Sequence, residues 1–154
     1  MVKKMKIRKA HLNGENRAKD LEEITEINKV LKKWNIIYCP WHKKNRIEQS
    51  MDTTYVAEIQ GSTVGAMTLT DCGDRYLGIE SIAVKEENQG QGIGSELISF
   101  AEEHAKSEEF KHLIVFSYVA YKNENFYLKH GFDKSNEIRR VGPNRYLTFT
   151  KKVS

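Results

Sequence analysis

Cysteine is scarce in this chain of 154 residues: Cys39 and Cys72 are the only two, and they form no C-x-x-C pair. That excludes a disulfide framework and a thioredoxin-like redox motif, and reduced thiols are expected where no export signal precedes them. Cys39, His42, Cys72 and His11 follow no structural zinc spacing, so no metal is expected. The basic start Met1-Val2-Lys3-Lys4-Met5-Lys6-Ile7 leads into no apolar segment, which argues against a secretory signal. The longest apolar stretch begins at Leu113-Ile114-Val115-Phe116 and is far too short to span a bilayer. A cytoplasmic protein without a membrane partner is the expectation. Only two prolines occur, and there is no linker rich in Pro, Gly or Ser, no repeat and no low-complexity segment. Residues 1–154 therefore read as one continuous domain. Neither sign of charge dominates: 25 Lys and Arg against 21 Asp and Glu leave a formal charge of +4. The two signs are interspersed, and no basic run interleaves with aromatics as in a nucleic-acid-binding module. The small surplus suits a phosphate-bearing ligand.

What is present is the balance of a globular protein, with 39% hydrophobic and 30% charged residues, in a chain long enough to bury a core without staples. Met5 to Ala10 reads as a first strand. Leu21, Ile24, Ile27, Leu31 and Trp34 recur at helical spacing and predict an amphipathic helix over residues 17–34. Residues 35–52, which include Pro40, break the period and read as a long loop with room for a short helix. Thr53 to Gln60, Thr63 to Thr70 and Tyr76 to Val84 read as three strands. Their turns, at Gln60-Gly61-Ser62 and Asp71-Cys72-Gly73-Asp74, are short enough to make them an antiparallel meander.

From there the pattern changes. Ile93, Leu97, Ile98, Ala101 and Ala105 share one helical face and predict a helix over residues 92–106. Leu113 to Phe116 is a continuous apolar strand, as expected when both of its faces are covered. Strand, helix and strand in this order form a crossover unit, so the strands ending at Val84 and Phe116 should be parallel. Asn123 to His130 reads as a short helix closed by Gly131. His130 is placed to favour a cation at that helix's C-terminus. Phe132 to Val141 and Arg145 to Lys151 read as a closing hairpin. The fold class is α/β: a mixed sheet flanked by helices.

Between the third strand and the long helix lies Gln89-Gly90-Gln91-Gly92-Ile93-Gly94. Three glycines let the backbone bend tightly and approach a ligand without interference from Cβ atoms. The amides opening the next helix have no intrahelical partner and sit at its positive dipole end, which matches a pyrophosphate. A P-loop would require Gly-Lys-Ser/Thr, and Gly94 is followed by Ser95-Glu96. A Rossmann loop needs its third glycine one position later and an acidic residue about twenty positions on, and neither is present. A turn serving only chain reversal stays open on the loop alone.

The loop has company. Glu80-Ser81-Ile82-Ala83-Val84, then Gln89-x-x-Gly92-x-Gly94, then Asn125-Phe126-Tyr127-Leu128-Lys129-His130-Gly131-Phe132 closely resemble the GNAT family of N-acetyltransferases over about Tyr76 to Phe132. The resemblance implies the GNAT fold: a mixed, mostly antiparallel sheet of six or seven strands with about four helices, around a parallel strand-helix-strand acyl-CoA-binding core. It implies acetyl-CoA as co-substrate, lying in a V-shaped gap between the two parallel strands. Ile82, Ala83 and Val84 would line the pantetheine arm through their backbone. Gln89, Gly90, Gln91, Gly92, Ile93, Gly94 and Ser95 would surround the pyrophosphate, with Asn123 and Phe126 contributing from the later helix. Many relatives carry Asn seven positions before the tyrosine, where this chain has Ala120, so that contact does not carry over.

The implied activity is acetyl transfer to a primary amine by direct attack in a ternary complex. An amide near Val84 is the implied donor to the thioester oxygen. Tyr127 is the candidate general acid, since a phenol, which ordinarily titrates near about pH 10, stays protonated at neutral pH. Glu80 is the candidate base, directly or through water. The other readings are helix packing for Tyr127, and an exposed or lysine-paired strand carboxylate for Glu80. Tyr38 to Gln49, with Trp41 and His42, borders the implied acceptor site or is a surface loop pinned by tryptophan burial. A peptide N-terminus, a lysine side chain, a polyamine, an aminoglycoside and other small amines all remain open as acceptors, though the net positive charge disfavours a highly cationic one. Relatives often dimerise. The alternative function is a non-catalytic acyl-CoA-binding sensor or interaction module of the same fold.

Overall fold

A computed structural model of the chain describes residues 4–31, 41–118, 122–142 and 144–153. Trp34, Tyr38, Cys39, Pro40 and Ala120, singled out above, lie outside them. The elements are β1 (Met5–Lys9), α1 (Gly14–Asn28) prolonged by a 3-10 turn at Lys29–Leu31, α2 (Lys44–Glu48), β2 (Thr54–Ile59), β3 (Ser62–Asp71), β4 (Tyr76–Val84), α3 (Ile93–Ser107), β5 (His112–Tyr118), α4 (Glu124–Lys129), β6 (Asp133–Val141) and β7 (Asn144–Lys152). Among the described residues the seven strands form one sheet in the order β1-β2-β3-β4-β5-β7-β6. As the crossover required, β4 and β5 are parallel, while β1–β2, β2–β3, β5–β7 and β6–β7 are antiparallel. The mixed sheet and its four helices agree with the fold class read from the sequence. The chain divides into two compact units, Met1–Thr68 with Ser81–Leu97, and Leu69–Glu80 with Ile98–Ser154.

In the first unit α1 begins at Gly14, three residues before its apolar period shows. Leu21, Ile24 and Ile27 of α1 are buried with Ile47 of α2, Val56 of β2, Ala66 of β3 and Ala83 of β4. Ile24 and Ile27 are fully buried, each worth about 1.5–3 kcal/mol in transfer from water. The pleat sends alternate residues of β3 to opposite faces. Ala66 joins this cluster, and Gly65 lies under the first turn of α3, where an added Cβ would stand 3.2 Å from Ile93 Cγ2 and 3.3 Å from Leu97 Cδ1. Both faces are thus in use, so residues 63–69 of β3 are buried without a break.

One charge is buried in this unit. Asp20 of α1 accepts two hydrogen bonds from the Arg8 guanidinium, at 2.8 and 2.9 Å, and one from the His11 amide at 2.8 Å. Arg8 also donates to Glu58 at 2.6 Å. Burial alone would raise the Asp20 pKa, but the Arg8 and His11 hydrogen bonds outweigh it and hold the carboxyl below its ordinary value. These hydrogen bonds, with Asp20's first, raise the Arg8 pKa in turn.

In the second unit β5 is flanked by β4 and β7. Leu113, Val115 and Ser117 on one face of β5 are buried, as is Phe149 of β7, which pairs with Val115. The opposite face differs from the expectation of a strand covered on both sides: Ile114 is half-buried and Phe116 is 38% exposed. Lys151 ties three elements together, donating to Glu102 of α3 at 2.9 Å and to the His130 carbonyl after α4 at 2.8 Å. The edge strand β6 pairs regularly with β7 from Ile138 to Val141, but its register shifts between Lys134 and Ile138.

Replacing Arg8 with methionine should destabilise the protein by about 3 kcal/mol at neutral pH, because Asp20 keeps its burial and loses its main partner. A carboxyl with a lowered native pKa stabilises above the ordinary carboxylate range and stops doing so as pH falls through that native value. Urea titrations of both proteins should therefore converge on acidification.

Candidate active site

The glycine-rich loop joins β4 to α3 inside the first unit. Its entry is pinned: Gln89 donates its side-chain amide to the Val84 carbonyl at 3.1 Å, and the Lys85 amide donates to the Val64 carbonyl at 2.8 Å. Gly90 and Gly92 then adopt φ of +80° and +82°, the left-handed region where a side chain is strained, and a Cβ at either would meet nothing within 4 Å. The space against the loop's backbone is open. The first hydrogen bond of the helical ladder runs from the Glu96 amide to the Gly92 carbonyl at 3.1 Å. The amides of Ile93 and Gly94 open the helix at its positive end. Ile93 is buried and anchors this turn, while Gly94 and Ser95 are half-buried beside it. Preceding the loop, Ser81 and Ala83 are buried and Ile82 and Val84 half-buried, as alternation along β4 requires. This arrangement offers fixed N–H donors and a helix dipole to an anion, with no carboxylate from Gln89 to Gly94, which fits the phosphates of coenzyme A.

Glu80, Asn123, Phe126 and Tyr127 belong to the second unit. Glu80 is exposed, and neither an ion pair nor a hydrogen bond engages it among the described residues. Cys72 lies near it as a free thiol. Burial, then the Glu80 and Asp71 carboxylates, push its pKa up, so it is no activated nucleophile. Asn123 is exposed and precedes α4. Phe126 is half-buried and meets Tyr127 edge-on at 5.2 Å. Tyr127 is only 3% exposed, its ring 5.7 Å from Phe132 and 5.2 Å from Phe149. The body of this tyrosine is thus a packing element of the unit. His130 is the C-cap of α4, as its placement in the sequence suggested; burial first, then Lys129 and Lys151, lower its pKa.

In the segment from Trp41 to Gln49, Trp41 is buried, with Arg46 stacked 3.9 Å above its ring and the Asn28 side-chain amide donating to its carbonyl at 2.8 Å. No group of three metal-ligating side chains occurs among the described residues, and no helix among them is long and apolar enough to cross a membrane.

The family model for the acetyltransferase (GNAT) domain matches residues 50–134. That is more than half of the chain, including the loop, β4, β5 and α4. The chain belongs to the GNAT acetyltransferase family, whose chemistry is acetyl transfer. No curated protein matches it significantly in sequence. Among solved structures it is similar to N-acetylglutamate synthase from Neisseria gonorrhoeae complexed with coenzyme A and N-acetyl-glutamate, with a TM-score of 0.77 and 18% identity over 97% of this chain. The chain spans only 35% of that protein. It is similar over most of both lengths to the ribosomal-protein-S18-alanine N-acetyltransferase from Escherichia coli, with a TM-score of 0.73 and 16% identity over 98% of this chain and 95% of the other. An IAA acetyltransferase from Bacillus cereus gives a TM-score of 0.60 and 24% identity over 71% and 85%. At these identities the likeness is one of fold.

Because Gly65 sets the seat of the α3 first turn, Gly65→Val should cost about 1–3 kcal/mol through overpacking. Hydrogen exchange at the amides of residues 93–97 should speed up more than in α1, which a local displacement requires and uniform destabilisation would not produce.

Proposed function

We propose that the protein transfers an acetyl group from acetyl-CoA to a primary amine by direct attack within a ternary complex. The open, left-handed glycine loop at the head of α3 carries this reading, because it presents preorganised donors where a pyrophosphate would lie. In this reading Gln89 to Ser95 hold the pyrophosphate. Ile82, Ala83 and Val84 offer backbone groups to the pantetheine arm, and Asn123 and Phe126 add contacts from α4. The bound carrier supplies an activated thioester. The residues of the chain do the rest: Glu80 takes the proton shed by the attacking amine, directly or through water, and Tyr127 gives one to the sulfur as the carbon–sulfur bond breaks. Holding amine and thioester together accounts for much of the rate. Residues 1–154 serve as one catalytic domain in this account.

The near-complete burial of Tyr127 favours a second reading, in which the tyrosine only packs and the protein binds acyl-CoA without turning it over. Kinetics separate the two. With acetyl-CoA and an accepted amine, Tyr127→Phe and Glu80→Gln should each lower kcat by roughly 10²- to 10⁴-fold. Unchanged turnover in both variants would leave neither with a role in proton transfer.

Carrier binding has its own test. Acetyl-CoA at a hundred times its dissociation constant should stabilise the native protein by about 2.7 kcal/mol in a thermal-shift titration. Gly92→Ala, which meets no steric obstacle but strains the loop by about 1–2 kcal/mol, should weaken that stabilisation. An unaltered titration would argue that the loop does not touch the carrier.

A further inference from the structure

The half-open sheet face of the second unit carries more than Glu80. Side chains alternate across the pleat, so the register fixes which residues share that face. Tyr76 pairs with His112 and Gly78 with Ile114, placing Glu80 and Phe116 next on the same side of β4 and β5. Phe116 pairs with Thr148, Tyr146 lies two residues earlier on the same face of β7, and Tyr146 pairs with Arg139, which brings β6 into the same face. The Arg139 guanidinium reaches back over β7 to stack on the exposed Phe116 ring, 4.8 Å from its centroid.

That stacking is the only side-chain interaction Arg139 makes among the described residues, and none of their carboxylates neutralises it. A cation held flat against an aromatic ring keeps its edge donors free, and the fork geometry of those donors matches a carboxylate. Arg140 and Arg145 lie directly opposite each other at the end of the same hairpin, both exposed. Like charges in opposed positions cost stability, so this end of the hairpin adds positive potential. Glu80 and Phe116 each stand one residue beyond the last paired residues of β4 and β5, Ile79 and Val115.

We propose that Arg139, laid over Phe116, selects an acceptor that bears a carboxylate as well as its amine. This rests on the transferase reading and names its substrate class. The carboxylate docks on the Arg139 edge, the intervening carbons lie along Phe116, and the amine is delivered to the Glu80 side. A polyamine would meet an unneutralised guanidinium and is disfavoured.

The test compares steady-state acetylation of glycine, β-alanine and γ-aminobutyrate with that of their carboxamides, with spermidine as the cationic control. The wild-type protein should prefer at least one free acid over its amide by roughly tenfold or more, as expected for a charge-assisted hydrogen bond. In Arg139→Gln that ratio should fall towards one through a raised KM for the acid, with an unshifted melting temperature. Arg139→Lys should restore part of the preference, because an ammonium keeps the charge and loses the planar fork. Equal handling of acid and amide, a preference for spermidine, or an unchanged ratio in Arg139→Gln would each overturn the inference. So would a protein that binds acetyl-CoA yet turns over none of the acids. Failure to bind acetyl-CoA at all would remove the transferase reading and this inference with it.

Discussion

The contact between the first turn of α3 and β3 is the constraint on which the loop geometry depends. Ile93 and Leu97 lie 3.2 and 3.3 Å from where a Gly65 Cβ would stand, and the Ala83 carbonyl lies 3.4 Å from it. An added Cβ there would require Ile93 and Leu97 to give by a few tenths of an ångström, and a longer side chain by more. The chain leaving Val84 passes through a 3-10 turn at Glu86–Asn88 and then reverses at the glycines before entering the helix. Gly90 and Gly92 make that reversal in backbone conformations that other residues adopt only under strain. The seat of the first turn of α3 on β3 thus depends on the absence of a side chain at Gly65.

Much of this was legible in the sequence, for local reasons. β4 runs from Tyr76 to Val84 as expected, and β3, α3 and β7 differ from expectation by a residue or so at their ends. Their limits are marked by glycine turns and by sharp changes of period. The start of α1 was less legible because its first turn, Gly14 to Arg17, carries no apolar residue to show the helical period. Periodicity reports only the part of a helix that faces a core. The placement of β7 between β5 and β6 was also out of reach, since order within a sheet is set by long-range pairing.

The site divides along the same line. The loop and Glu80 stand out as candidates in the sequence because each belongs to a contiguous motif. Arg139 and Phe116 were not: they lie 23 positions apart, and their meeting depends on two successive antiparallel registers. His130 was placed by a local rule about helix ends and does close α4. The burial and the two lysines that lower its pKa, one of them on a strand far along the chain, are set by the fold. Asp20 reads in sequence as one more acidic residue on a helix. Only the fold reveals that it is sealed against Arg8.

The irregular stretch of β6 has a consequence for life in a crowded solution. A sheet's last strand exposes hydrogen-bonding groups that invite a second chain to join, and long flat margins are where such joining begins. Here the margin is interrupted between Lys134 and Ile138, and Lys134, Glu137, Arg139 and Arg140 stud its length, all exposed. An incoming strand would lose register at the interruption and meet charge on either side of it. The same hairpin that holds an unpaired arginine over an aromatic ring thereby discourages fibre-like stacking of one molecule on the next.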